Sequence, residues 1–204
     1  MPPLNLRQDL EENFFYNNSK CEDRECDSMN AWSENIDNGL LNGVVFIDLT
    51  KAFDTIDHEI ILRKMSHLGV DQAAIKWFSS YLTGRTQRCN VSDKLSSVCT
   101  LSYGVPQGSI LGPLLFLIYI NDLPNSLRGA VPRMFADDTN LTLSAKTLTE
   151  LKLALTPELN NLCCWLKANK LSLTVAKTEL MFIGSRQSLS TDVGIRIDDQ
   201  IIKS

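Results

Sequence analysis

Two hydrophobic periods divide this chain. Val44-Val45-Phe46-Ile47 is a continuous apolar run that ends in Asp48, which predicts a buried strand carrying an acid to its end. Asn42-Gly43 before it reads as a turn. Downstream the period lengthens. Ile60, Ile61, Leu62, Met65 and Leu68 fall at helical spacing, with Asp57 as N-cap and Gly69 as stop. Asp71 opens a second helix with Ile75, Phe78, Tyr81 and Leu82 on one face, and Gly84 closes it. Thr86–Val91 and Val98–Tyr103 predict a hairpin. A Gly/Pro loop, Gly104–Ser109, leads into an apolar helix from Gly112 to Asn121.

Arg133–Phe135 and Leu141–Leu143 read as two strands flanking Asp137-Asp138. A long helix follows over Leu148–Asn169, which Pro157 should kink or split. Lys177–Ile183 and Gly194–Ile197 read as closing strands. Residues 1–42 are polar, rich in Asn, Asp, Glu and Ser, and read as partly disordered, with a helix near Gln8–Tyr16. Strands and helices that mix without strict alternation predict an α+β fold, with helices on one face of an antiparallel sheet. Trp77 and Trp165 lie on apolar helical faces and read as core.

Composition narrows the class without naming it. The 204 residues suit one domain, and a hydrophobic fraction of 44% supplies a core. No apolar run reaches transmembrane length, and the polar N-terminus is no secretory signal, so an intracellular location, nuclear or cytoplasmic, is expected, with no membrane partner. Six cysteines and two histidines lack zinc-site spacing. A net charge of -4 makes no electrostatic case for nucleic acid.

The candidate chemistry lies in carboxylates held beside apolar runs. Asp48 ends one such run, and Asp137-Asp138 follow Phe135-Ala136 in a tight turn. Each alone also reads as an ordinary strand cap or solvent turn. If the two strands are neighbours, three carboxylates converge and repel one another unless a divalent cation joins them. Hard oxygen donors without histidine favour magnesium, with manganese as the alternative, and two such ions suit phosphoryl transfer. In Gly104-Val105-Pro106-Gln107-Gly108-Ser109, backbone amides can approach a phosphate or base pair and Gln107 can hydrogen-bond to it; the stretch equally reads as a strand-to-helix turn. Phe53 reads as a core aromatic or as a plate beside a sugar. Lys177 reads as a solvated lysine or as a proton donor to a leaving pyrophosphate.

The order of these segments resembles a known family. Val-Phe-Ile-Asp-Leu-Thr-Lys-Ala-Phe-Asp-Thr-Ile-Asp-His over 45–58 comes first, followed by Gly-Val-Pro-Gln-Gly-Ser-Ile-Leu-Gly-Pro-Leu-Leu-Phe over 104–116. Phe-Ala-Asp-Asp over 135–138 and Trp-Leu-Lys-Ala-Asn-Lys-Leu-Ser-Leu with Lys-Thr-Glu over 165–179 complete the set. Together they resemble the reverse transcriptases of non-LTR retrotransposons, of the jockey and CR1-like kind. The resemblance implies a polymerase palm over 43–184: a small antiparallel sheet with a ferredoxin-like βαββαβ core, backed by helices. Residues 185–204 would begin a truncated primer-grip region. Asp48, Asp137 and Asp138 would hold two magnesium ions. Phe53 would be the sugar gate, Pro106, Gln107 and Gly108 the contact to template and incoming nucleotide, and Lys177 the proton donor. RNA template, DNA primer and deoxynucleoside triphosphate would be the partners. Thr174 stands where the family has Asn. The alternative is an inactive or repurposed retroelement fragment that folds without polymerising. A nucleotide cyclase on a similar palm would not need the Pro-Gln-Gly loop.

Overall fold

The computed structural model describes residues 21–106, 108–135, 138–184, 195–197 and 200–202. They form two compact units: Lys51–Asn121 is one, and the described parts of Arg7–Thr50 and Asp122–Ser204 are the other.

In the second unit, β1 (Leu41–Ile47) is a central strand, antiparallel to both β7 (Asp138–Ala145) and β8 (Glu179–Ile183). β6 (Val131–Phe135) pairs with β7 at the edge, giving the order β6-β7-β1-β8. In chain order these four strands stand second, third, first and fourth, the ferredoxin-like arrangement expected of an α+β palm. The long α5 (Leu148–Ala168) packs on this sheet, with Thr147 accepting from the Glu150 amide as its cap. Leu151, Leu155, Leu159, Leu162 and Leu166 recur along it at helical spacing and are all buried. Burying such side chains stabilises by about 1.5–3 kcal/mol each.

Gly43 is within β1 and not in a turn. A Cβ there would stand 2.9 Å from Leu155 Cδ1 and 3.1 Å from Leu151 Cδ2, so glycine lets α5 lie directly on the strand. Asn42 points to the opposite face, because successive side chains alternate. It is fully buried, donates to the Trp32 carbonyl at 3.1 Å and accepts from Asn35 at 2.7 Å. Those partners belong to α1 (Cys21–Asp37), a helix in a stretch whose composition reads as irregular. α1 has no broad apolar stripe. Polar bonds attach it instead: the Thr142 hydroxyl accepts from Trp32 Nε1 at 3.3 Å and from Arg133 Nη1 at 3.1 Å. Burial lowers the pKa of the Arg133 guanidinium, an effect the Asp27 carboxylate opposes. Helices therefore cover part of both faces of the sheet, not one. The helix expected near Gln8–Tyr16 lies outside the described residues.

Pro157 sits inside α5 without dividing it. It removes the amide that would bond the Leu153 carbonyl, but Pro157 and Leu153 are both on the exposed side, where solvent can take that acceptor. Lys177 belongs to a 3-10 turn, Val175–Lys177, and β8 starts after it. A hairpin of β9 (Ile195–Ile197) and β10 (Gln200–Ile202) ends the described chain.

In the first unit, α2 (His58–His67) and α3 (Gln72–Leu82) begin at the expected caps, Asp57 and Asp71, each accepting from helix amides. α4 (Leu111–Ile120) buries Leu115, Phe116, Tyr119 and Ile120. Between α3 and α4 the hairpin is broken into two ladders. β2 (Thr86–Gln87) pairs with β5 (Cys99–Thr100), and β3 (Asn90–Val91) pairs with β4 (Lys94–Leu95). Ser92 and Asp93 join the inner pair with φ of 49° and 62°, as the mirror-image turns of tight hairpins require. Trp77 is not core: it is 53% exposed.

Candidate active site

β1 and β7 bring the first carboxylates together. Their register ends at Ile47↔Thr139, so Asp48 and Asp138 are the next residues along the two strands, just beyond that ladder. Asp138 also pairs with Phe135 as the first residue of β7 and is exposed. Its neighbours Thr139 and Asn140 bury Oγ1 and Oδ1 with no hydrogen-bond partner among the described residues, a cost the strand end carries beside the acids. Asp137 lies outside the described residues, and among the rest no group of three metal-ligating side chains assembles.

Lys177 reaches Asp48 through backbone pairing. Beyond β1, Leu49 bridges to Leu173, the Thr50 amide donates to Ser172 O at 2.8 Å, and the Thr174 amide donates to Asp48 O at 2.8 Å. The Thr50 and Thr174 hydroxyls stand 2.7 Å apart and hydrogen-bond to each other. The 3-10 turn that starts there delivers Lys177, whose Nζ stands 3.9 Å from Asp48 Oδ2. The two side chains are 70% and 40% exposed, so the lysine can leave the acid without a burial cost.

The first unit gathers a second set. Residues 53–58 and 103–105 are tied by three backbone links and one side-chain hydrogen bond. The Val105 amide donates to Phe53 O at 2.9 Å, the Gly104 amide to Ile56 O at 2.8 Å, Asp57 bridges to Tyr103, and His58 Nε2 bonds Gly104 O at 2.8 Å. Gly104 has φ +83°, and a Cβ on it would meet Asp54 O at 2.8 Å. Phe53 packs on Phe116 with centroids 4.8 Å apart, and its half-buried ring lines an open cleft of about 330 Å³ with Pro106, Gly108 and Ser109. Gly108 is exposed at φ +78°. Gln107 lies outside the described residues. Sequence reading had no signal for His58 as a clamp on the loop, because its partner is a carbonyl 46 residues away.

These motifs have relatives. The family described as "Reverse transcriptase (RNA-dependent DNA polymerase)" matches residues 8–196, starting well ahead of the Asp48 strand. The probable RNA-directed DNA polymerase from transposon BS of Drosophila melanogaster is 34% identical over 66% of this chain and 16% of its own length. The RNA-directed DNA polymerase from mobile element jockey of the same fly is 31% identical over 50% of this chain and 12% of its own. The Pol polyprotein from the type-1 retrotransposable element R2 of Popillia japonica is 33% identical over 46% and 16%. The chain thus spans about a sixth or less of the curated relatives it matches. Among solved structures, telomerase from Candida tropicalis truncated from its C-terminal domain superposes with a TM-score of 0.62 at 11% identity. That match covers 97% of this chain and 43% of the telomerase chain, a likeness of fold alone. The relatives named above come from non-LTR retrotransposons, and the chain belongs to the reverse transcriptase family.

Proposed function

We propose that residues 43–184 form a palm that extends a DNA primer on an RNA template by two-metal nucleotidyl transfer from deoxynucleoside triphosphates. The observation that carries this reading is the register ending at Ile47↔Thr139, which leaves Asp48 and Asp138 as the next residues on neighbouring strands. Two carboxylates at neighbouring strand ends, Asp48 half-buried and Asp138 exposed, are without histidine a donor set suited to magnesium or manganese. Asp48, Asp137 and Asp138 would hold two such ions, which would lower the pKa of the attacking hydroxyl and neutralise charge on the leaving pyrophosphate.

The protein's own groups do the rest. Lys177, exposed beside Asp48, donates a proton to the departing pyrophosphate or balances its charge. Phe53, backed by Phe116, presents its ring to the sugar and excludes a 2′-hydroxyl by bulk. Pro106, Gln107 and Gly108 contact the template and incoming nucleotide, with the loop held by the bonds to Phe53, Ile56 and His58. Primer extension on an RNA template with magnesium tests the reading. Incorporation is expected, and Asp48→Asn and Asp138→Asn should each remove it. Equally little incorporation by wild type and both variants would leave a folded fragment without polymerase function.

A further inference from the structure

An aromatic ladder lies outside the site just described. On α3, Trp77 and Tyr81 stack nearly parallel, with centroids 5.6 Å apart and planes at 7°, and the Arg85 guanidinium sits 5.7 Å from the Tyr81 centroid. Phe78 meets the Trp77 ring edge-on at 5.1 Å and fixes its tilt. Trp77 is 53% exposed, although Ala74 and Tyr81, about one helical turn earlier and later, are half-buried. Two contacts continue the ladder. The Tyr81 hydroxyl bonds the Ser109 hydroxyl at 2.6 Å, next to Gly108. Arg85 also lines a cleft of about 460 Å³ with Thr86, Gln87, Tyr103 and Pro106, in which Asp54 is the one acid.

The local charge is opposite to that of the chain. Between Asp71 and Gly104 stand Lys76, Arg85, Arg88 and Lys94 against Asp93, a net of +3 in a protein of net -4. A peptide partner would seek an apolar groove. A flat ring stack followed by a cation and by side-chain hydroxyl and amide donors suits stacked bases and a phosphate backbone. We propose that Trp77, Tyr81 and Arg85 form a binding platform for single-stranded RNA, with Trp77 stacking a base and Arg85 meeting the backbone as it enters the cleft. The platform rests on the polymerase reading for its strand, the template upstream of the Pro106–Gly108 loop.

Fluorescence anisotropy with a short labelled oligoadenylate RNA tests this on the 204-residue chain. Trp77→Ala should weaken binding roughly tenfold, since one stacked base contributes about 1–3 kcal/mol. Trp77→Phe should restore most of it. Arg85→Ala should weaken binding and flatten its salt dependence by about 0.7 in the logarithmic slope, as expected for one lost single-strand phosphate contact. RNA should also quench tryptophan emission, and this quenching should vanish in Trp77→Phe. Thermal melts establish that each variant folds. The inference is overturned if wild type does not bind the RNA, or if folded Trp77→Ala and Arg85→Ala both bind it as wild type does. Trp77 emission that follows protein concentration rather than RNA would also overturn it, by assigning the face to a second copy of the chain. The polymerase reading fails separately, by absence of Asp48-dependent incorporation while RNA still binds through Trp77.

Discussion

Lys177 Nζ stands 3.9 Å from the Asp48 carboxylate, and Asp138 is the next residue beyond Thr139, the last β7 partner of the strand that ends before Asp48. Asp48 therefore has an attractive neighbour and a repulsive one, both near solvent. Exposed pairs of this kind contribute at most about 1 kcal/mol, so neither dominates. Asp48→Asn removes both at once. The variant should lose nucleotide incorporation while its melting temperature in chelator stays within a few degrees of wild type, on the order of 1 kcal/mol. A large loss of stability would mean that Asp48 is structural.

Phe53 should decide sugar selection. Its ring is supported by Phe116, so truncation to valine opens space without freeing the backbone, which the Val105 amide still holds. Phe53→Val should raise incorporation of ribonucleotides relative to deoxynucleotides, read as the ratio of kcat/KM for the two. An unchanged ratio removes the gate.

Two glycines separate backbone strain from collision. Gly84 and Gly104 both have positive φ, +70° and +83°, but only at Gly104 would a Cβ strike backbone, Asp54 O at 2.8 Å. Gly84→Ala should cost about 1 kcal/mol. Gly104→Ala should cost roughly 1–3 kcal/mol more, because that contact cannot be relieved by a rotamer. Urea unfolding compares them, and equal losses would refute the close approach.

Glu158 is 5% exposed on α5 and accepts from the amides of Arg128 and Gly129, both at 3.0 Å. It anchors the segment that leads into β6. Glu158→Ala should destabilise by about 1–3 kcal/mol through the loss of two part-buried hydrogen bonds to a charged acceptor. Glu158→Gln keeps one acceptor and should lose less. Equal stability of all three proteins would show the bonds to be dispensable.

What the sequence made legible was mostly local. Asp57 and Asp71 cap their helices because a carboxylate two or three residues ahead of free amides acts within one turn. Asp48 at a strand end followed from the apolar run beside it. Misreadings arose where distant contacts override local preference. Asn42-Gly43 has the composition of a turn, but Leu151, Leu155 and the carbonyl of Trp32 make it strand. α1 escaped notice because hydrogen bonds to Asn42 and Thr142, not an apolar stripe, attach it. Pro157 is tolerated by facing solvent, which spacing alone does not reveal. Trp77 has core composition and helical spacing, yet more than half of its surface is open.

Gly43 and Asn42 have one more consequence. They clamp β1 between two helices five or six residues before Asp48, a span of about 16–20 Å along an extended strand. The strand is thus a ruler with its zero mark at the clamp. Deleting or inserting one residue between Gly43 and Asp48 would leave the clamp seated and turn the carboxylate to the other face, away from Asp138. Chain length in that interval is consequently as strict a requirement as the identity of the acid itself.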